Sequence, residues 1–138
     1  MKRTLLQDKY PVFIKDICKR ETGLASTQDI VNYLIGMIDD HPVTRLVGEF
    51  DHYSHTLGLE GGDVDPGIVD ARNVVFCFGT RLLTTDALAV RPRSIGVAET
   101  ASAFVVSFME APTAMASNTM QAWVEALPAF LADANNLT

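Results

Sequence analysis

What this chain lacks narrows its class before any motif is read. No apolar run approaches the roughly 20 residues that carry a helix across a bilayer, so no membrane span is expected. Met1-Lys-Arg-Thr-Leu-Leu starts in the manner of a secretory leader, but Gln7, Asp8 and Lys9 interrupt it before an apolar segment forms. Cysteine is scarce: Cys18 and Cys77 are the only two, too few for a disulfide framework. These features point to a soluble protein of a reducing compartment, and bacterial cytoplasm is the expected location. Basic residues are outnumbered, 11 against 17 acidic, for a formal net charge of −6. Only Lys2-Arg3, Lys19-Arg20 and Arg91-Pro92-Arg93 come near to clustering. Phosphate backbones select for concentrated Lys and Arg, so neither nucleic acid nor an anionic membrane is an expected partner. No Gly-x-Ser-x-Gly, P-loop, Gly-x-Gly-x-x-Gly or His-Glu-x-x-His occurs. No motif fixes a reaction or implies a cofactor.

What is present suffices for one domain over residues 1–138. A chain of this length buries roughly two-thirds of its unfolded surface, enough for a core without staples. Tyr10 to Ile17 alternates as a strand, with Pro11 at its start or on a sheet edge. Ser26 can cap a helix at Asp29, in the manner of a capping box. Ile30, Leu34, Met37 and Ile38 then recur at helical spacing until Asp39-Asp40-His41-Pro42 ends the run. Val43 to His55 reads as a strand, with Thr44, Leu46, Gly48, Phe50 and His52 on a helix-covered face. Arg45, Val47, Glu49, Asp51, Tyr53 and His55 occupy the other face, and Gly48 is expected to let a helix approach. Leu57 to Asp70 is a glycine-rich acidic loop, long for a compact domain. Asn73 to Gly79, NVVFCFG, is apolar on both sides, which predicts cover on both faces. Thr84 to Ala89 suits one helical turn.

Arg93 to Glu99 and Ala103 to Glu110 form a hairpin across Thr100-Ala101-Ser102. A three-residue turn would set Gly96 against Val106 and Ser94 against Phe108, small opposite large. Ser117 is a candidate N-cap for a last helix with Met120, Trp123, Val124 and Leu127 on its apolar side. Pro128 is expected to kink or restart that helix, and Asn135 to Thr138 to fray. The order strand, helix, four strands, helix predicts an α+β domain of two layers. An antiparallel sheet of about five strands would carry both main helices on one face. That order resembles the TATA-binding-protein-like fold, which serves many unrelated functions. The segments DKYPVF (8–13), FDHYSH (50–55), NVVFCFG (73–79) and RPRSIGVAE (91–99) resemble a small bacterial family of unassigned function. That resemblance spans most of the chain and implies no activity, cofactor or catalytic residue.

The densest chemistry lies in Leu46 to His55, LVGEFDHYSH, which holds two of the three histidines. Asp51, Tyr53 and His55 alternate along a strand there. A carboxylate beside an imidazole can fix its tautomer and make a general base; the plainer alternative is a solvated face of ion pairs. His52 and His55 are the weak metal candidates, because three residues apart on a strand puts them on opposite faces unless the chain bends near Tyr53. Arg91 and Arg93 bracket Pro92 and project to one side, suited to gripping a carboxylate or phosphate, or to bridging nearby acids. Cys77 is expected to be an inert small hydrophobe inside its strand. The expected site therefore gathers Asp51, Tyr53, His55, Arg91 and Arg93 on the sheet's outer face, under the acidic loop, for a small anionic ligand. A homodimer or other interaction module using the same face is the alternative, since an uncovered apolar face would otherwise meet water. A small enzyme with Asp51 and His55 as acid and base is the second.

Overall fold

The computed structural model describes residues 1–128. One antiparallel sheet of six strands organises it, in the order β1-β2-β6-β5-β4-β3. The strands are β1 (Lys2–Leu6), β2 (Tyr10–Cys18), β3 (Thr44–Asp51), β4 (Asp70–Phe78), β5 (Arg93–Glu99) and β6 (Ala103–Met109). Three α-helices join them: α1 (Thr27–Asp40), α2 (His52–Leu57) and α3 (Ala114–Glu125). Apart from β1 and the short α2, this is the α+β order read from the sequence. The polar Gln7-Asp8-Lys9 that breaks the leader-like opening is the turn of the β1–β2 hairpin. Gln7 and Asp8 there adopt φ of 52° and 60°, the left-handed pair that tight hairpin turns require.

Helix α1 begins as its sequence dictates. The Ser26 hydroxyl accepts from the Asp29 amide at 3.3 Å, while the Asp29 carboxylate reaches back to the Ala25 amide at 2.8 Å. Ile30, Val31, Leu34 and Ile38 form its buried stripe. Together they pack on Val74, Phe76 and Phe78 of β4, Ile95 and Val97 of β5, and Phe104, Val106 and Phe108 of β6. Met120, Trp123, Val124 and Leu127, the apolar side foreseen for the last helix, join the same cluster. Tyr33 of α1 donates to the Trp123 carbonyl of α3 at 2.8 Å. Both long helices thus lie on one face. Each fully buried aliphatic or aromatic side chain contributes about 1.5–3 kcal/mol.

Several local expectations are corrected. The last helix starts three residues before Ser117, capped by Thr113, whose hydroxyl accepts from the Ala116 amide. Ser117 instead lies buried inside the first turns. The helix ends at Glu125 with Ala126 as its C-cap, and Asn135 to Thr138 lie outside the described residues. In the β5–β6 hairpin Gly96 pairs with Ser107 and Val97 with Val106. The turn therefore holds four residues, closed by the Thr100 amide on the Ala103 carbonyl and the Ala103 amide on the Thr100 hydroxyl. Large side chains then share the helix face, Val97 with Val106 and Ile95 level with Phe108, while Gly96 and Ser107 share the open face, opposite to the interleaving expected. In β4, Val74, Phe76 and Phe78 are buried while Cys77 is exposed. Apart from Asn73, which meets His52 of α2, its second face is left open by the described residues, so neither full cover on both sides nor a core setting for Cys77 holds.

Strand β3 carries the correction that matters most for function. Leu46 pairs with Phe76, but Gly48 pairs with Val75, so Val47 is an extra, bulged residue. A bulge sets two residues against one and inverts the alternation beyond it. Thr44 and Leu46 face the helices, as the Thr44 hydroxyl on the Ile38 carbonyl at 2.7 Å attests. Gly48 and Phe50 turn to the open face, level with Val75 and Asn73. Gly48 accordingly admits no helix: a Cβ added there meets nothing within 4 Å.

Candidate functional site

The strand expected to run to His55 stops at Asp51, and α2 begins at His52. Asp51 is the cause. One of its carboxylate oxygens accepts from the Ser54 amide at 3.0 Å and the other from the Ser54 hydroxyl at 2.9 Å. This is N-capping, which ends a strand and opens a helix. The same two bonds hold the Asp51 carboxyl below its ordinary value. Both oxygens are therefore engaged with Ser54, and the carboxylate–imidazole pair expected of Asp51 and His55 does not form. His55 meets Phe50 and His52 instead, with ring centroids at 5.0 and 6.1 Å.

The helical turn does what a straight strand cannot: residues three apart come onto one side, so His52 and His55 are neighbours. His52 Nδ1 lies 2.8 Å from Asn73 Oδ1, and the Asn73 amide donates to Ser94 Oγ at 3.0 Å. With the Asn73 nitrogen donating to Ser94, its oxygen is placed to accept from His52 Nδ1. Among the described residues, no three His, Cys, Asp or Glu side chains gather to hold a metal. Tyr53 faces a shallow hollow of about 270 Å³ shared with Thr56, Asp63, Asp65 and Ile68 of the acidic loop.

Arg91 and Arg93 lie elsewhere. Arg93 pairs with Phe76 and Asp51 with Arg72, four residues apart along β4, or roughly 13 Å at about 3.3 Å per residue. Arg93 sits on the helix face beside Phe76, whereas Phe50, His52 and His55 belong to the open face. The five residues expected to form one site are therefore split between two ends and two faces of the sheet. The acidic loop accompanies Tyr53 and does not cover the arginines.

What Arg91 and Arg93 do share is a cavity of about 330 Å³, walled by Phe78, Ala87, Val90, Ala111, Met115 and Ala116, with Thr113 at the start of α3. Gly79 lines it as well: the chain leaves β4 there at φ 102°, a conformation that favours glycine, and an added Cβ would make only ordinary contact with Arg91 Nη2 at 3.6 Å. The peptide joining Arg91 to Pro92 is cis. Arg91 donates to the Arg81 carbonyl. Arg93 donates to the Val90 carbonyl at 3.5 Å and to the Met109 carbonyl. Its Nε is buried with no hydrogen-bond partner. Burial also lowers the Arg93 pKa from its ordinary value. The ion pairs among the described residues are Arg3–Glu110, Lys19–Glu99 and Arg72–Asp70; neither Arg91 nor Arg93 is in one.

Sequence reasoning missed the other walls of this cavity. Ala111 and Ala116 carry no chemical signal, and only the Thr113 cap marks where α3 brings them to β5. Asn73, the hydrogen-bond partner of His52, was also missed; as the one polar residue opening NVVFCFG it was the available clue. No curated protein and no solved structure matches the chain. A family model described as a family of unknown function, DUF6858, matches residues 1–129, and the chain belongs to that family.

Proposed function

We propose that the protein binds a small organic anion in the cavity of Arg91 and Arg93, with the charged group of the ligand against the guanidiniums and a compact apolar body against Phe78, Val90 and Met115. The observation that carries this reading is the setting of Arg93. It is a half-buried cation with an orphaned Nε and no carboxylate partner among the described residues. Burying an unpaired charge is costly, and a ligand carboxylate or phosphate supplies the missing counter-charge through paired guanidinium bonds. The first turn of α3, at Thr113 to Ala116, adds the positive end of a helix dipole to the same wall. The volume is at the small end of ligand sites, and the lining is mostly apolar with few polar groups, as such sites are.

Thermal unfolding against a panel of short-chain carboxylates and phosphate monoesters tests the reading. A ligand at a hundredfold excess over Kd raises stability by about 2.7 kcal/mol, or about 10 °C in Tm for a domain of this size. Arg91→Met and Arg93→Met are each expected to weaken binding at least tenfold, about 1.4 kcal/mol, while retaining the far-UV circular dichroism of the parent. If no member of the panel moves the Tm, or if binding survives both substitutions together, the cavity is not an anion site.

A further inference from the structure

The geometry points to the open face of the sheet as the contact surface of a two-fold dimer of this chain, a role independent of the anion cavity on the other side. With α1 and α3 both on the helix face, the described residues leave the other side of the sheet open except at its β3–β4 end, where α2 sets His52 against Asn73. The row Lys2–Ile14–Ser107–Gly96–Asn73–Phe50 runs across the full width of that side. Leu6, Tyr10, Val12, Val75, Val105 and Met109 alternate onto it from neighbouring rows. Several are bare: Leu6 is 54 % exposed, Met109 47 % and the bulged Val47 61 %.

Two quantities select a second copy as the occupant. The first is area. Six strands at about 4.8 Å span about 29 Å, and seven residues at about 3.3 Å span about 23 Å. The product is about 670 Å² before side-chain relief is added and the corner under α2 is subtracted, comparable to the roughly 800 Å² per partner of a standard stable interface. Two such sheets stack face to face at about 10 Å, as in sandwiches. The second is charge. Lys2, Asp16 and Arg45 are the only charged residues at paired strand positions on this side. Their sum is +1, whereas the whole chain carries −6. Most of the acidic residues among those described lie on the other face, on the helices or in the loop around Asp63 and Asp65. Two identical acidic molecules therefore repel least when they meet through this face. A nucleic acid or anionic lipid surface would require the concentrated cations that it lacks.

Cys77 gives a direct reporter, because it is exposed on this face in a single copy. The test is run in a Cys18→Ser background with hydrodynamic mass and Cys77 alkylation measured in parallel. At about 100 µM, well above the micromolar affinity of weak interfaces of this size, the expected mass is twice that of one chain. Cys77 alkylation is expected to slow about tenfold or more between dilute and concentrated protein, since a thiol reacts according to its access. Val75→Lys puts a charge midway along β4, next to the edge strand β3, and Met109→Lys puts one at an already exposed position on β6 where folding is not at stake. Each is expected to return the mass to that of one chain and Cys77 to its dilute reactivity. The inference is overturned by a single-chain mass at every concentration or by a mass above two chains. A dimer that persists in the Val75→Lys, Met109→Lys double variant also overturns it, as does a dimer whose Cys77 reacts at the dilute rate.

Discussion

Replacing Ser117 with alanine tests how the corner between β6 and α3 is held. Ser117 is 6 % exposed, and its hydroxyl accepts from the Ala111 amide at 2.8 Å. It also donates to the Ala111 carbonyl at a long 3.4 Å, which contributes little. Ser117→Ala leaves the Ala111 amide buried without its acceptor, at a cost of about 1–3 kcal/mol. Alanine in a helix interior returns about 0.5 kcal/mol of propensity. No cap is lost, because Thr113 holds that position. The net expectation is a loss of about 1–2 kcal/mol, taking the hydrogen-bond term near its middle, or about 3–7 °C in Tm. Urea unfolding followed by the fluorescence of Trp123, buried beside His41 and Phe76, measures it. Asn118→Ala, exposed one residue along, is the control and is expected to stay within about 0.5 kcal/mol. Equal losses in the two variants would refute the reasoning, as would a Ser117→Ala loss under about 0.5 kcal/mol. Because Ala111 and Ala116 wall the cavity proposed to bind an anion, the same substitution is expected to weaken any ligand response in the Tm assay.

Two glycines are expected to respond in opposite directions to alanine. Gly36 lies inside α1 with open space around its absent Cβ, so Gly36→Ala is expected to stabilise by about 0.5–1 kcal/mol. At Gly62 the added Cβ would fall 1.8 Å from the Thr56 carbonyl oxygen, so Gly62→Ala lowers Tm and speeds amide exchange over residues 52–62; no change there would contradict the close approach of loop and helix. The capping of α2 is expected to depend on pH with a defined sign. The Asp51 carboxyl titrates below its ordinary value of 3.8 when folded, so its hold on Ser54 is complete above that value and is lost as pH falls through the lowered folded value. The Ser54 amide resonance should report this, and a midpoint at or above 3.8 would contradict the cap as drawn.

The elements legible in the sequence are those whose local and long-range signals agree. Helix α1 has a serine cap, an apolar stripe and a proline stop, and each does what its chemistry requires. β4 to β6 show as alternating or apolar runs. Helix α2 was not legible because HYSHTL has no apolar stripe, and its only signal is Asp51 set three residues before Ser54. The hairpin register depends on a hydrogen bond from Ala103 to the Thr100 hydroxyl, and composition does not distinguish a turn of four residues from one of three. Strand β1 is short and looked like the opening of a leader. The candidate site divided because spacing within one strand does not say where two strands meet or which face each gives to the helices. Arg93 lies on the helix face opposite Phe76, while Asp51 lies opposite Arg72, four residues along β4. Asp51 also ends its strand before Tyr53 and His55. The arginines were legible as a pair because only Pro92 separates them, but their cavity is assembled from segments at 78–93 and 111–116, which only the fold brings together.

The bulge at Val47 acts as a parity switch on everything that follows it. Without that one residue, Phe50 would turn inward to the helices, and the strand would present the Asp51 side outward. The His52 ring would lose Asn73 as its partner, and the two imidazoles would leave the face that Cys77 shares. Losing one residue from the loop between α2 and β4 would shorten a connection; losing one at Val47 would readdress a surface. The chemical identity of the open face therefore depends less on which side chains β3 carries than on whether their count, from Thr44 onward, is odd or even.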